Sequence, residues 1–211
     1  MGLKDRLISG EKIYGTMLKV NRSPAVCYIA KNSGLDFVMY DCEHSNFTME
    51  NLHDLFITGN SLGLDSYVRV PELSKAYISR TLDQGARGVM VPMLETYEMA
   101  NSFVKYSKYQ PIGGRGFSTM GGHTDYLGGN HSEIMESCND TVISIAQIET
   151  KLAVDNADAI ASVPGIDALL VGPNDLSLSL GIPGDLFNQI EIDAIKHVIE
   201  ACKRNNKKFG L

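Results

Sequence analysis

"DFVMYDCEHSNFTMENLHDLFITGNSLGLDSYVRVP", residues 36–71, decides the fold. It opens on a short apolar run, 36–41, that reads as a buried strand. The stretch 48–63 follows as a helix capped by Thr48. A second apolar run, 66–71, reads as another strand, so the segment is one strand–helix–strand unit.

The same alternation extends in both directions. Upstream, 12–18 reads as a strand. Residues 23–34 read as a helix with Ser23 as N-cap, Pro24 at the first helical position and Gly34 as the stop. Downstream come a helix over 74–86 capped by Ser74, a strand over 88–93 and a helix over 96–109. After a glycine-rich stretch and a short helix near 132–138, a strand is expected over 141–149, a helix over 150–165, a strand over 166–172 and a helix over 189–206. Residues 207–211 read as the opening of a seventh strand. The strands are short and apolar on both faces, and helices separate them. That pattern indicates a parallel α/β sheet, either doubly wound or closed into a (β/α)8 barrel. No G-x-G-x-x-G follows the first strand, which counts against a dinucleotide-binding sheet.

Residues 1–211 show no linker and no low-complexity tract, so a single domain is expected. The net charge of −6 argues against nucleic-acid or anionic-membrane partners. No apolar run approaches the roughly 20 residues that span a bilayer. The four cysteines are far apart and form no C-x-x-C pair, which fits a reduced, cytoplasmic protein.

In either α/β form, function gathers at the carboxyl ends of the strands. The second strand ends in Asp41, Glu43 and His44. The third contains Arg69, the fifth ends in Gln147 and Glu149, and the sixth runs into Gly172, Pro173 and Asp175. Polar groups from four strands thus meet at one end, which points to an enzyme. Glu149 and Asp175 lie one strand–helix period apart and suit an octahedral Mg²⁺ or Mn²⁺ site completed by water and a substrate oxygen. Each also reads as an acidic helix cap. Arg69 reads as a cation facing a carboxylate or enolate, or as half of an ion pair. His44 reads as a base or as a loop histidine, and Cys42 has no demonstrable oriented histidine partner. Asp83 alone reads as a helix-surface residue. The glycine-rich stretch 111–130 reads as a lid over the site or as a surface loop. No lysine is expected at a strand end.

Together "YDCEHS", "YVRVP", "LDQGARGVMVPM", "GGRG", "QIET" and "VGPNDLS" resemble, in order and spacing, the metal-dependent pyruvate aldolases of the HpcH/HpaI family. The resemblance runs from about residue 12 to 211. It implies a (β/α)8 TIM-type barrel of the phosphoenolpyruvate/pyruvate superfamily, usually a hexamer or trimer of dimers. Its reaction would be reversible cleavage of a 4-hydroxy-2-oxoacid to pyruvate and an aldehyde without a Schiff base. By the resemblance, Glu149 and Asp175 match the ligands of a divalent cation (Mg, Mn or Co). Arg69 matches the arginine facing the pyruvate oxygens, His44 the catalytic histidine and Asp83 the acid paired with it. Gln147 matches a residue near pyruvate, and the amides around Gly172 and Pro173 match its carboxylate loop. The stretch "STMGGHTDY" departs from the pattern where many relatives carry a second arginine and an alanine, which leaves the aldehyde open.

Two rival functions stand beside this one: a carbon–carbon lyase acting on a CoA thioester, of the citrate lyase β-subunit type, and a non-catalytic assembly subunit. A closed barrel has eight strands and typically ~250 residues; with six full strands and the start of a seventh in 211 residues, a longer polypeptide is expected.

Overall fold

The computed structural model describes residues 2–211. Seven strands form one sheet: β1 Gly15–Leu18, β2 Phe37–Asp41, β3 Asp65–Arg69, β4 Gly88–Val91, β5 Ile143–Ile148, β6 Ala168–Val171 and β7 Lys208–Gly210. Every pairing is parallel and the spatial order follows the chain order from β1 to β7. A doubly wound sheet reverses its strand order at a switch point. Here there is no reversal, so successive right-handed crossovers place the helices on one side and the sheet curls. It is a curled, all-parallel half-barrel. Among the described residues β1 and β7 are its two unpaired edges.

Among the described residues ten α-helices accompany the strands: α1 Leu3–Ile8, α2 Ala25–Asn32, α3 Met49–Ser61, α4 Lys75–Asp83, α5 Tyr97–Ser107, α6 His131–Thr141, α7 Lys151–Asp155, α8 Ala157–Ser162, α9 Pro173–Ser179 and α10 Gln189–Arg204. Thr48 caps α3 as expected, its hydroxyl accepting from the Asn51 amide at 3.2 Å. The single helix expected over 150–165 is two, because Asn156 leaves helical geometry and its side-chain amide donates to the Glu95 carbonyl at 2.9 Å. Pro24 sits one place earlier than expected, at the cap of α2 itself.

The strands separate two apolar layers. Side chains on the convex face, among them Val38, Tyr40, Val68, Val89, Ala146 and Leu169, pack under the helices. Their neighbours at alternate positions, including Met39, Tyr67, Met90, Ile145 and Ala168, meet on the concave face. Helix α1, which lay outside the sequence-based assignment, closes the amino-terminal end of that inner layer with Leu3 and Leu7. Lys4 fixes it there, Nζ donating to the carbonyls of Asn139 and Val142 and lying 3.0 Å from Asp167. With that end plugged, the concave face opens where the strands finish and along the side between β1 and β7. Among the described residues no helix is long and apolar enough to cross a membrane.

Candidate active site

The inward-facing alternation that fills the concave layer with Met39 and Tyr67 places Asp41 and Arg69 two residues further on, opposite each other in the β2–β3 register. Asp41 is fully buried and Arg69 nearly so. Arg69 Nε donates to Asp41 Oδ1 at 2.9 Å and Nη2 to Oδ2 at 2.7 Å. The third nitrogen, Nη1, lies 2.9 Å from Glu43 Oε2. That approach is close but misaligned, so the oxygen has a neighbouring charge and no donor directed at it. Burial works against both charges of the pair. The hydrogen bonds and opposite charges outweigh it, holding Asp41 below and Arg69 above their ordinary ranges.

Asp41 Oδ1 also accepts from the amides of Glu43 (3.1 Å) and His44 (3.3 Å), which folds the chain back as it leaves β2. This turn presents His44 at the mouth, half exposed, with Nε2 3.8 Å from Glu43 Oε2. Cys42 is turned inward. Burial and, secondarily, the charge of Asp41 push its thiol up to about 12, which removes it as a nucleophile.

Glu149 follows β5 and is buried. Gln147 Nε2 donates to its Oε1 at 2.5 Å, and the Met93 amide donates to Oε2 at 3.0 Å. Met93 takes a left-handed backbone (φ 50°), a costly conformation for a residue with a side chain, and this aims its N–H at the carboxylate. Burial, with the charges of Glu43 and Asp175, still pushes the Glu149 carboxyl up to about 7, against the opposing pull of the Met93 amide and Arg69. Gly172 makes room for it: a Cβ there would stand 2.5 Å from Glu149 Oε1 and 2.9 Å from Gln147 Nε2. Asp175 is exposed on the first turn of α9, a helix that Pro173 begins.

The oxygen-rich donor set fits a hard divalent cation. Two carboxylates, Glu43 and Asp175, are close enough to Glu149 to disfavour its charge. Two buried acceptors beside them, Gln147 Oε1 and Glu43 Oε2, have no donor. Among the described residues no cluster of three or more His, Cys, Asp or Glu is drawn together in ligating geometry.

Within the single chain, some of the residues singled out in the sequence stand apart from the mouth. Asp83 is the last residue of α4, which runs back from the mouth, so Asp83 stands at the opposite end of the barrel, before β4 begins. It pairs there with Arg115 at 2.5 Å, and within one chain it does not meet His44. The stretch 111–130 is likewise no lid. It leaves the far end of α5 and leads back towards β5, and its contacts are with that end: Arg115 with Asp83, and the His123 ring with the Asp83 carbonyl. The Gly172 amide is spent on the Ile148 carbonyl (3.1 Å) and proline has none, so the amides left at the start of α9 belong to Asn174 and Asp175.

Lys19 was missed. It directly follows β1, and its Nζ lies 3.4 Å from Asp41 Oδ2. A lysine therefore does stand at a strand end, and the signal was present in "TMLK", where the apolar run stops on a charge.

The HpcH/HpaI aldolase/citrate lyase family matches residues 17–209. A 2-keto-3-deoxy-L-rhamnonate aldolase of Salmonella schwarzengrund (strain CVM19633) is 33% identical over 199 residues, which are 94% of this chain and 72% of the relative. The crystal structure of an HpcH/HpaI aldolase from Desulfitobacterium hafniense DCB-2 superposes with a TM-score of 0.93 at 35% identity, over 99% of this chain and 81% of that one. That of the citrate synthase SbnG gives 0.89 at 32%, over 99% and 80%. With the polar groups of five strands gathered at one mouth and this likeness across nearly its whole length, the chain belongs to the HpcH/HpaI aldolase/citrate lyase family and is a carbon–carbon lyase.

Proposed function

We propose that this lyase is a divalent-cation-dependent aldolase that cleaves a 4-hydroxy-2-oxoacid to pyruvate and an aldehyde. The observation that carries the reading is the gathering of Glu43, Glu149 and Asp175 around buried acceptors that lack donors, with Arg69 beside them. A divalent cation held by Glu149 and Asp175 supplies Lewis-acid polarisation of the 2-oxo group.

The protein's own groups do the rest. Arg69 keeps N–H bonds beyond the two directed at Asp41, and it offers fixed positive charge to the oxygen on which the enolate develops. Asp41 holds the guanidinium plane, so no reorganisation is needed as charge builds. The amides of Asn174 and Asp175 receive the substrate carboxylate. His44, free at the mouth, accepts the proton of the C4 hydroxyl. The C3–C4 bond breaks, its electron pair passes to C3, and the aldehyde leaves. Protonation at C3 then gives pyruvate.

Pyruvate release from a panel of 4-hydroxy-2-oxoacids, coupled to lactate dehydrogenase, tests the proposal. Activity that a chelator abolishes and Mg²⁺, Mn²⁺ or Co²⁺ restores is the expected result. Undiminished turnover after exhaustive chelation, with borohydride trapping a pyruvate adduct on Lys19, would replace it with Schiff-base chemistry. Lys19 is half exposed, whereas Schiff-base lysines are activated by desolvation or a second cation. The chain is read as a single domain acting in a homo-oligomer, which light scattering on the purified protein tests.

A further inference from the structure

The structure assigns to Lys19, we infer, the recognition of an anionic group on the aldehyde half of the substrate; this rests on the aldolase reading above. The 2-oxoacid half belongs with Glu149, Gln147 and the start of α9, on the β5–β6 side of the mouth. His44, at the cleaved C4 hydroxyl, stands after β2. What lies beyond C4 therefore extends towards the loops after β1 and β2, where Lys19 is the first residue past β1.

Lys19 has donors to spare. Asp41 Oδ2 already takes the 2.7 Å bond from Arg69, and Oδ1 takes three donors. The ammonium only brushes this saturated carboxylate, at 3.4 Å, and 51% of its side chain remains accessible. Arg69 is different, for it is nearly buried, bonded twice to Asp41 and drawn against Glu43. Arg22, on the same loop as Lys19, reaches only the neutral amide oxygen of Asn46, and no carboxylate lies within ion-pair distance of it among the described residues. Lys19 and Arg22, the two cations of the loop after β1, thus carry positive charge that no carboxylate fully offsets, because Asp41 is already bonded to Arg69 and Arg22 has no ion-pair partner among the described residues, a local surplus in an otherwise acidic chain. A carboxylate or a phosphate at the distal end of the substrate meets that surplus, and a neutral polyol end does not.

The test compares 4-hydroxy-2-oxoacids of matched length ending in carboxylate, in phosphate or in a neutral hydroxymethyl group. The wild-type enzyme should favour one anionic end over the neutral end by about ten- to a hundredfold in kcat/KM, the effect of one charge-assisted hydrogen bond. Which anion wins distinguishes a dicarboxylate from a phosphorylated substrate. Lys19→Met should reduce the preference to within about threefold, and Lys19→Arg should retain most of it. Circular dichroism confirms that the variants fold. A wild-type enzyme indifferent to the distal charge overturns the assignment. So does a Lys19→Met loss shared equally by all three substrates, which would make Lys19 a positioning residue acting through Asp41. If the wild-type enzyme cleaves none of them, the aldolase reading itself falls.

Discussion

Asp41 and Arg69 face each other across two adjacent parallel strands and share two hydrogen bonds, of 2.9 and 2.7 Å, with almost no solvent contact. The pair ends two strands and begins the active site, so fold and chemistry meet in it.

Removing either partner leaves a buried charge without compensation. Asp41→Ala and Arg69→Met should each lower unfolding stability by about 3–5 kcal/mol, and the double variant should lose less than the sum. Urea denaturation measures this. Additive losses would show that the two side chains do not act as a unit. Because the folded state holds Asp41 below its ordinary value of 3.8, the stabilisation is fully present above that pH and is lost as pH falls through the depressed value. Arg69→Ala should in addition lower kcat by about a hundredfold or more.

Glu149 titrates in the opposite sense. Its folded value of about 7 exceeds the unfolded value of 4.5, so the metal-free protein should lose stability as pH rises from about 4.5 to 7. Glu149→Gln should remove that part of the pH dependence. A divalent cation requires the ionised form, so its affinity should rise with pH up to about 7 and its binding should release about one proton near pH 6. Calorimetric titration in two buffers of different ionisation enthalpy counts that proton. Proton-free binding at pH 6 would mean that Glu149 is not a ligand.

Gly172→Ala isolates the geometry of the carboxylate from its charge. The added methyl would meet Glu149 Oε1 at 2.5 Å and Gln147 Nε2 at 2.9 Å, and both side chains must move. A displacement of this kind should lower kcat/KM by about a hundredfold. Thermal unfolding measured alongside reports the cost of moving two buried side chains. Wild-type kinetics in this variant would show that the carboxylate tolerates displacement.

Cys42 should be inert. With its thiol pushed to about 12, iodoacetamide at pH 8 should leave it unmodified in the folded protein, as peptide mass mapping can show. Cys42→Ser should keep most of the activity. Rapid alkylation with matching inactivation would restore the cysteine as a nucleophile.

The sequence carried the strand–helix alternation because each buried strand is an apolar run and α3 has a side-chain cap in Thr48. It also carried Glu149, Arg69 and Gln147, since polar residues that end or interrupt apolar strands are conspicuous. The curl of the sheet was not legible from local pattern alone, which left two α/β forms open; it follows from the unreversed strand order. Asp83 lay within the helix expected over 74–86, and its neighbours do not say at which end of the barrel that helix finishes. The stretch 111–130 looked like a lid because glycine content reports backbone freedom, not the face on which a loop lies. Helix α9 was hidden by its length, although Pro173 at its first position was a usable sign. Lys19 was overlooked although the strand was expected to end at residue 18, because a lysine after a short, exposed strand reads as an ordinary surface residue.

The 111–130 connection lies on the side away from the catalytic mouth and carries near its end, just before α6, the exposed glycines Gly128 and Gly129, the first with open space around it. That arrangement separates attachment from catalysis. A peptide tag or fluorophore inserted between these two glycines, clear of buried Arg115 and His123, would anchor the protein to a support with its mouth directed outward. An immobilised catalyst or an orientation-controlled sensor could be built on this chain without altering a single residue of the site.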